Sequence, residues 1–153
     1  MHMDSPETIL ARARARGKSS GLSYSGAILP REAYEYLKQN PGARLVDVRT
    51  DAEWTWVGQV PDAVLIAWNT WPSGQQNEKF LEQLKAAVPA TDTPILFLCR
   101  SGARSHRAAL AATEAGYTSC FNVLEGFEGD RDDKDHRNNV GGWRHAGLPW
   151  VQS

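Results

Sequence analysis

The stretch whose reading decides the fold is ILFLCRSGARSHRAALAATEAG, residues 95–116. Residues 95–98 form a continuous apolar run, the pattern of a strand buried on both faces of a sheet. From Ser105 an alanine-rich run carries a helical pattern to Gly116, a residue suited to close a helix at its C-terminus. Between them lies a tight polar loop that starts at Cys99. Strand, loop and helix in that order are half of a βαβ unit, and such units build parallel sheets.

The rest of the chain repeats the alternation. Pro30 opens a helix over 31–40, with Ala33, Tyr34 and Leu37 at helical spacing, and Asn40-Pro41-Gly42 ends it. ARLVDV (43–48) reads as a strand, TDAEWTW (50–56) as a helical turn, AVLIAW (63–68) as a strand and EKFLEQLKAAV (78–88) as an amphipathic helix. Residues 22–28 and 119–123 read as the first and last strands, and the segment beyond as loop with one late helix. The expected fold is α/β, with a central, mainly parallel sheet and helices on both faces. Before it, residues 5–16 read as a helix with Ser5 as N-cap and Pro6 at its first position. Arg12, Arg14 and Arg16 scatter around that helix, which reads as a solvated tail, and Gly17–Gly21 as a flexible break. The expected division is therefore 1–21, helix and link, and 22–153, the functional domain.

Composition narrows the function. The chain has 153 residues, 41% hydrophobic and 23% charged, enough for one domain with its own core. A net charge of -1 gives no reason to expect a nucleic-acid partner or an anionic membrane surface. No apolar run has the length of a membrane span and no secretory leader pattern opens the chain, so a cytoplasmic setting is expected. The two cysteines, Cys99 and Cys120, are too few for a disulfide framework and suit a reducing compartment. Paired-cysteine, HExxH and phosphate-loop motifs are all missing, so no cofactor or metal is expected. EGDRDDKDHRNNV (128–140) holds several acidic residues and His136, a composition that plain solvated loops share.

The loop CRSGARS (99–105) is where the chemistry concentrates. Cys99 at a strand end and just before a helix meets free backbone N–H groups with partial positive charge. Successive amides of such a loop can form an anion nest, and Gly102 permits the curl this needs. Arg100 and Arg104 add two full charges. All of these favour a thiolate, hence a nucleophile, and the same amides can hold an anionic substrate. An inert core cysteine has no use for two arginines and a glycine within six residues; Cys120, between Ser119 and Phe121 in a strand, fits that inert role. Two chemistries use such a loop: phosphoester hydrolysis and transfer of sulfane sulfur. Cysteine phosphatases carry C-x5-R, and here the arginine falls one residue earlier, at Arg104, making a smaller ring.

CRSGARS (99–105) resembles the active loop of the rhodanese-like sulfurtransferases in their single-domain form. LVDVRTDAEW (45–54) resembles the family's D-x-R-x-x-x-E segment, with Asp47, Arg49 and Glu53 at its fixed positions. VGQVPDAVLI (57–66) is similar to its G-H-I-P-G-A segment, with Gln59 and Asp62 as departures, and GGWRHAGLPW (141–150) to its C-terminal region. The resemblance implies that Cys99 carries sulfur and that Arg100, Ser101, Gly102, Ala103, Arg104 and Ser105 bind the persulfide and an anionic donor. It implies that Asp47, Arg49 and Glu53 form a salt-bridged corner bracing the strand end. It further implies a donor such as thiosulfate and a thiol, cyanide or protein acceptor. A sulfur carrier or interaction module with slow turnover, and a cysteine phosphatase or arsenate reductase, are the alternatives. The loops 70–77 and 128–140 are expected to wall the pocket, and the latter to tune substrate choice.

Overall fold

The computed structural model describes residues 4–152. Its elements in chain order are α1 (Pro6–Ser19), β1 (Gly26–Ile28), α2 (Pro30–Gln39), β2 (Arg44–Asp47), α3 (Asp51–Trp56), β3 (Val64–Leu65), α4 (Phe80–Ala87), β4 (Ile95–Leu98), α5 (Ala103–Glu114) and β5 (Cys120–Val123). The strands form one sheet in the order β1-β5-β4-β2-β3, and every pair is parallel. β4 lies at the centre, with Val46 opposite Phe97 and Leu96 opposite Phe121.

Alternation along β4 assigns the two sides. Leu96 and Leu98 pack with Ile9 and Ala13 of α1 and with Ala33 and Tyr36 of α2. Ile95, Phe97 and Cys99 pack with Phe80 and Leu84 of α4 and with Ala108, Ala109 and Ala112 of α5. Helices thus cover both faces, as the sequence implies. All four β4 side chains are fully buried, each worth about 1.5–3 kcal/mol relative to exposure. The continuous apolar run is the consequence of that two-sided burial. Cys99 follows as the next residue on the α5 side, at the carboxyl end of the central strand.

Several boundaries differ from the sequence reading. Residues 22–25 do not join β1: Ser25 Oγ accepts from the Cys120 N–H at 3.0 Å, so a side chain takes the place of a ladder carbonyl. Regular pairing of β3 stops at Leu65, although the N–H groups of Ile66 and Trp68 still donate to the carbonyls of Asp47 and Val48. The expected flexible break at Gly17–Gly21 is mostly helix, because α1 runs to Ser19 with Gly17 buried. Its backbone lies directly on β1: a Cβ built on Gly17 would stand 2.7 Å from the Gly26 Cα. Nor is α1 a solvated tail. Arg12 pairs with Asp4 at 2.6 Å, Arg16 bridges to Glu32 of α2 at 2.8 Å, and Arg14 lies over the Phe121 ring. The late helix is a set of turns, where Gly142 and Gly147, both at positive φ, bracket a segment too short for helix.

Candidate active site

α5 begins at Ala103, two residues earlier than the sequence suggests, so Arg104 and Ser105 lie in its first turn. Gly102 is the cause. It sits at the N-cap with φ 119°, a left-handed conformation that costs glycine little and turns the chain sharply from strand into helix. The turn points its amide back at the sulfur: Gly102 N–H donates to Cys99 Sγ at 3.1 Å. Ser105 Oγ stands 3.2 Å from the same sulfur and donates to Asn122 Oδ1 at 2.6 Å. The hydroxyl has one proton, and the short contact commits it to Asn122. A thiol at Cys99 then donates to Ser105. Asn122 also donates from Nδ2 to the Gly102 carbonyl at 3.2 Å, fixing the cap. Sequence reasoning missed Asn122; its signal is a polar residue inside the buried strand CFNV.

The first half of the loop is oriented from behind. Phe127 N–H donates to the Cys99 carbonyl at 2.8 Å, and the amides of Glu128 and Gly129 donate to the Arg100 carbonyl at 3.0 and 3.3 Å. In a trans peptide the N–H points opposite to the C=O. The amides of Arg100 and Ser101 are thereby turned away from the 127–129 segment. Close approach at this splint requires glycine: a Cβ on Gly126, where φ is 62°, would lie 2.5 Å from the Arg100 carbonyl oxygen and 2.6 Å from that of Cys99.

The expected salt-bridged corner is two separate pairs. Asp47 and Arg49 are fully buried and meet at 2.7 Å, with Arg49 also donating to the Gly58 carbonyl and stacked 4.2 Å over the Phe127 ring. That pair holds up the segment that splints the loop. Glu53 pairs instead with Arg104, by two bonds of 2.7 and 2.9 Å. Burial alone would push Glu53 up, but the Arg104 hydrogen bonds and charge, with Thr50, hold its carboxyl below the usual range. Arg104 moves the opposite way: burial would lower it, and Glu53 raises it further. The Arg104 guanidinium is therefore already bound by a carboxylate across the site. Arg100 is exposed and has no ion pair among the described residues. Cys99 itself is 1% exposed, so the sulfur sits at the floor of the loop.

Cys120 is buried in the α5-side core, and burial pushes its thiol up. The 128–140 segment meets the loop through Glu128 and Gly129, but its aspartates do structural work of their own. Asp132 accepts from the amides of Lys134 and His136 and from the Asn139 side chain, which shapes the turn. Among the described residues no group of three or more His, Cys, Asp or Glu is gathered as a metal would require. In the loop 70–77 the Thr70 N–H and hydroxyl donate to the Gln75 carbonyl, and Asn77 ties the end of the loop back to the carbonyls of Ala67 and Trp68.

A parallel sheet with a cysteine just beyond its central strand, its sulfur met by the Gly102 amide in a tight loop that opens a helix, defines an α/β protein with a cysteine loop. The chain belongs to the rhodanese-like domain family, whose model matches residues 29–132. It is 47% identical to Rv0390 of M. tuberculosis, whose crystal structure covers 86% of this chain and 100% of its own with a TM-score of 0.78. A Rickettsia prowazekii protein designated RP600, itself uncharacterised, is 40% identical over 120 residues, 78% of this chain and 91% of that one. The protein named thiosulfate sulfurtransferase GlpE of Haemophilus influenzae is 30% identical over 105 residues, 67% of this chain and 84% of that one. The family is thus one that includes sulfurtransferases. No described helix is long and apolar enough to cross a membrane.

Proposed function

We propose that the protein is a sulfurtransferase that moves sulfane sulfur through a persulfide on Cys99, in a reducing, cytoplasmic setting. The observation that carries this is the Cys99 sulfur facing the Gly102 amide at 3.1 Å within a loop whose carbonyls are drawn to the opposite side. In the first half-reaction the Cys99 thiolate attacks the outer sulfur of thiosulfate. A Cys99 Sγ–S bond forms, the S–SO3 bond breaks, and sulfite leaves with the electron pair. In the second, a thiolate or cyanide attacks the outer sulfur, and the electron pair of the Sγ–S bond returns to Cys99. A thiol acceptor, small or protein-borne, gives its proton to solvent. No cofactor or metal takes part.

The loop residues Arg100, Ser101, Gly102, Ala103, Arg104 and Ser105 surround the persulfide, its negative charge resting on their amides. Arg100, exposed and unpaired among the described residues, draws in the anionic donor. Arg104 acts as a positioning residue through Glu53, and Asp47 with Arg49 supports the splint behind the loop. Residues 22–153 carry the reaction. The test is steady-state formation of thiocyanate from thiosulfate and cyanide. Covalent transfer in two half-reactions gives parallel double-reciprocal lines. Intersecting lines, or thiocyanate formation that survives Cys99→Ser, would exclude the persulfide route.

A further inference from the structure

β3 is an outer strand of the sheet, and its far side carries a row of main-chain groups. The Ile66 and Trp68 N–H groups donate inward, to the Asp47 and Val48 carbonyls, while the Val48 N–H is taken by Leu98. With Val46 opposite Val64 and Asp47 opposite Leu65, this register commits the main-chain groups of Val64 and Ile66 to β2. Along an extended strand those groups alternate in direction, so the groups of Ala63, Leu65 and Ala67 on either side point outward. At the two ends of the row one group is satisfied within the chain. The Ala63 N–H donates to the Val60 carbonyl at 3.3 Å, and the Ala67 carbonyl accepts from Asn77 Nδ2 at 2.9 Å. The Ala63 carbonyl, the Leu65 N–H and carbonyl and the Ala67 N–H have no hydrogen bond among the described residues. The stretch AVLIAW (63–68) holds none of the charges or prolines that usually guard an edge strand. The Leu65 side chain is 38% exposed, and a groove of about 690 Å³, lined in part by Val64, Leu65, Ala86 and Ala87, runs beside it.

We infer that β3 pairs with β3 of a second copy of this chain, antiparallel and centred on Leu65. The free groups are their own complement. Across a two-fold axis Leu65 faces the partner's Leu65, and the two exchange both N–H···O bonds. Two residues out on each side, the Ala67 N–H meets the carbonyl of the partner's Ala63. The only bonds of a regular ladder left unmade there belong to the Ala63 N–H and the Ala67 carbonyl, the two groups that the chain already satisfies internally. The symmetry of the row about one residue is what favours a copy over an unrelated extended segment. Antiparallel pairing turns the two Cys99 loops toward opposite ends of the joined sheet. Neither copy then completes the other's site, and the inference stands apart from the sulfur-transfer reading.

Sedimentation equilibrium of the wild-type protein is expected to give a dimer with a dissociation constant on the order of 10 µM, as suits a small interface. Leu65→Pro removes an outward donor that β2 does not use, at a place where edge strands tolerate proline. It deletes both central bonds, and dimerisation should weaken roughly tenfold or more. Leu65→Lys keeps the backbone and sets like charges face to face, so it should weaken the dimer at low salt and less at high salt. Should Leu65→Pro fail to fold, the lysine variant carries the test. Hydrogen exchange locates the contact: the Leu65 and Ala67 amides should be protected in the dimer and exchange freely in the monomer. A wild-type protein still monomeric at about 100 µM, tenfold above that constant, would overturn the inference. So would a dimer that the folded variants leave intact, or one in which the Leu65 and Ala67 amides exchange as fast as in the monomer.

Discussion

Replacing Glu53 by glutamine isolates the pair that ties α3 to the first turn of α5. The two side chains are 18% and 19% exposed and meet through two charge-assisted bonds, so the pair is well shielded but not sealed from water. Hydrogen bonds to charged groups contribute about 1.5–3 kcal/mol, and breaking a fully buried pair costs about 3–5 kcal/mol. Partial exposure puts Glu53→Gln near the lower range, about 2 kcal/mol at pH 7. For a domain of this size that is a fall in Tm of roughly 4–8 °C. The pH dependence has a definite sign. The folded Glu53 carboxyl is held below its ordinary value, so its stabilisation is fully present above the unfolded value and is lost as pH falls through the folded one. Thermal unfolding of both proteins at pH 7 and across the acid range tests this. The gap between wild type and variant should close as the medium becomes more acid than the folded carboxyl, where the wild-type side chain is as neutral as glutamine. An unchanged Tm at pH 7, or a gap of constant size down to pH 3, would refute the pairing energetics argued above.

Gly126→Ala should displace the 127–129 splint, because its Cβ would stand 2.5 Å from the Arg100 carbonyl oxygen at a φ of 62°. Persulfide formation should fall at least tenfold, about 1.4 kcal/mol or more in barrier, in a protein whose circular dichroism stays that of an α/β fold. Cys120→Ala removes a buried thiol from the α5-side core; a loss of about 1 kcal/mol in denaturant unfolding is expected, with turnover retained. Asp133 and Asp135 are exposed on the segment anchored to the Arg100 carbonyl, whereas Asp132 caps the turn. Changing the first two to asparagine should lower KM for thiosulfate about twofold at low salt, and the effect should vanish near 0.15 M, where the screening length is about 8 Å.

The parallel sheet was legible because a short continuous apolar run, β4, and an alanine-rich helical pattern, α5, stand on either side of one loop. Cys99 was legible for the same reason: it stands where the periodicity changes. What was hidden is set by conformation and by distance along the chain. The start of α5 depends on the φ of Gly102, which residue type permits but does not dictate. The Glu53–Arg104 pair joins residues 51 apart, which no local pattern reveals, and the resemblance implied instead that Glu53 belonged with Asp47 and Arg49. In α1, Ile9, Ala13 and Gly17 recur every four residues and all are buried. Two of the three are small, so a hydrophobicity pattern gives them little weight, although small residues are what let the helix backbone lie on β1. Asn122 was passed over as one polar position in a short strand, yet it joins the loop cap to Ser105 and, through Ser105, to the sulfur.

The central claim is that Cys99 accepts sulfane sulfur, and intact mass after incubation with thiosulfate tests it most directly. Wild-type protein and Cys120→Ser should each gain one sulfur atom, which cyanide then removes, and Cys99→Ser should gain none. A wild-type protein that stays at its starting mass, or a Cys99→Ser protein that takes up the sulfur, would contradict the account.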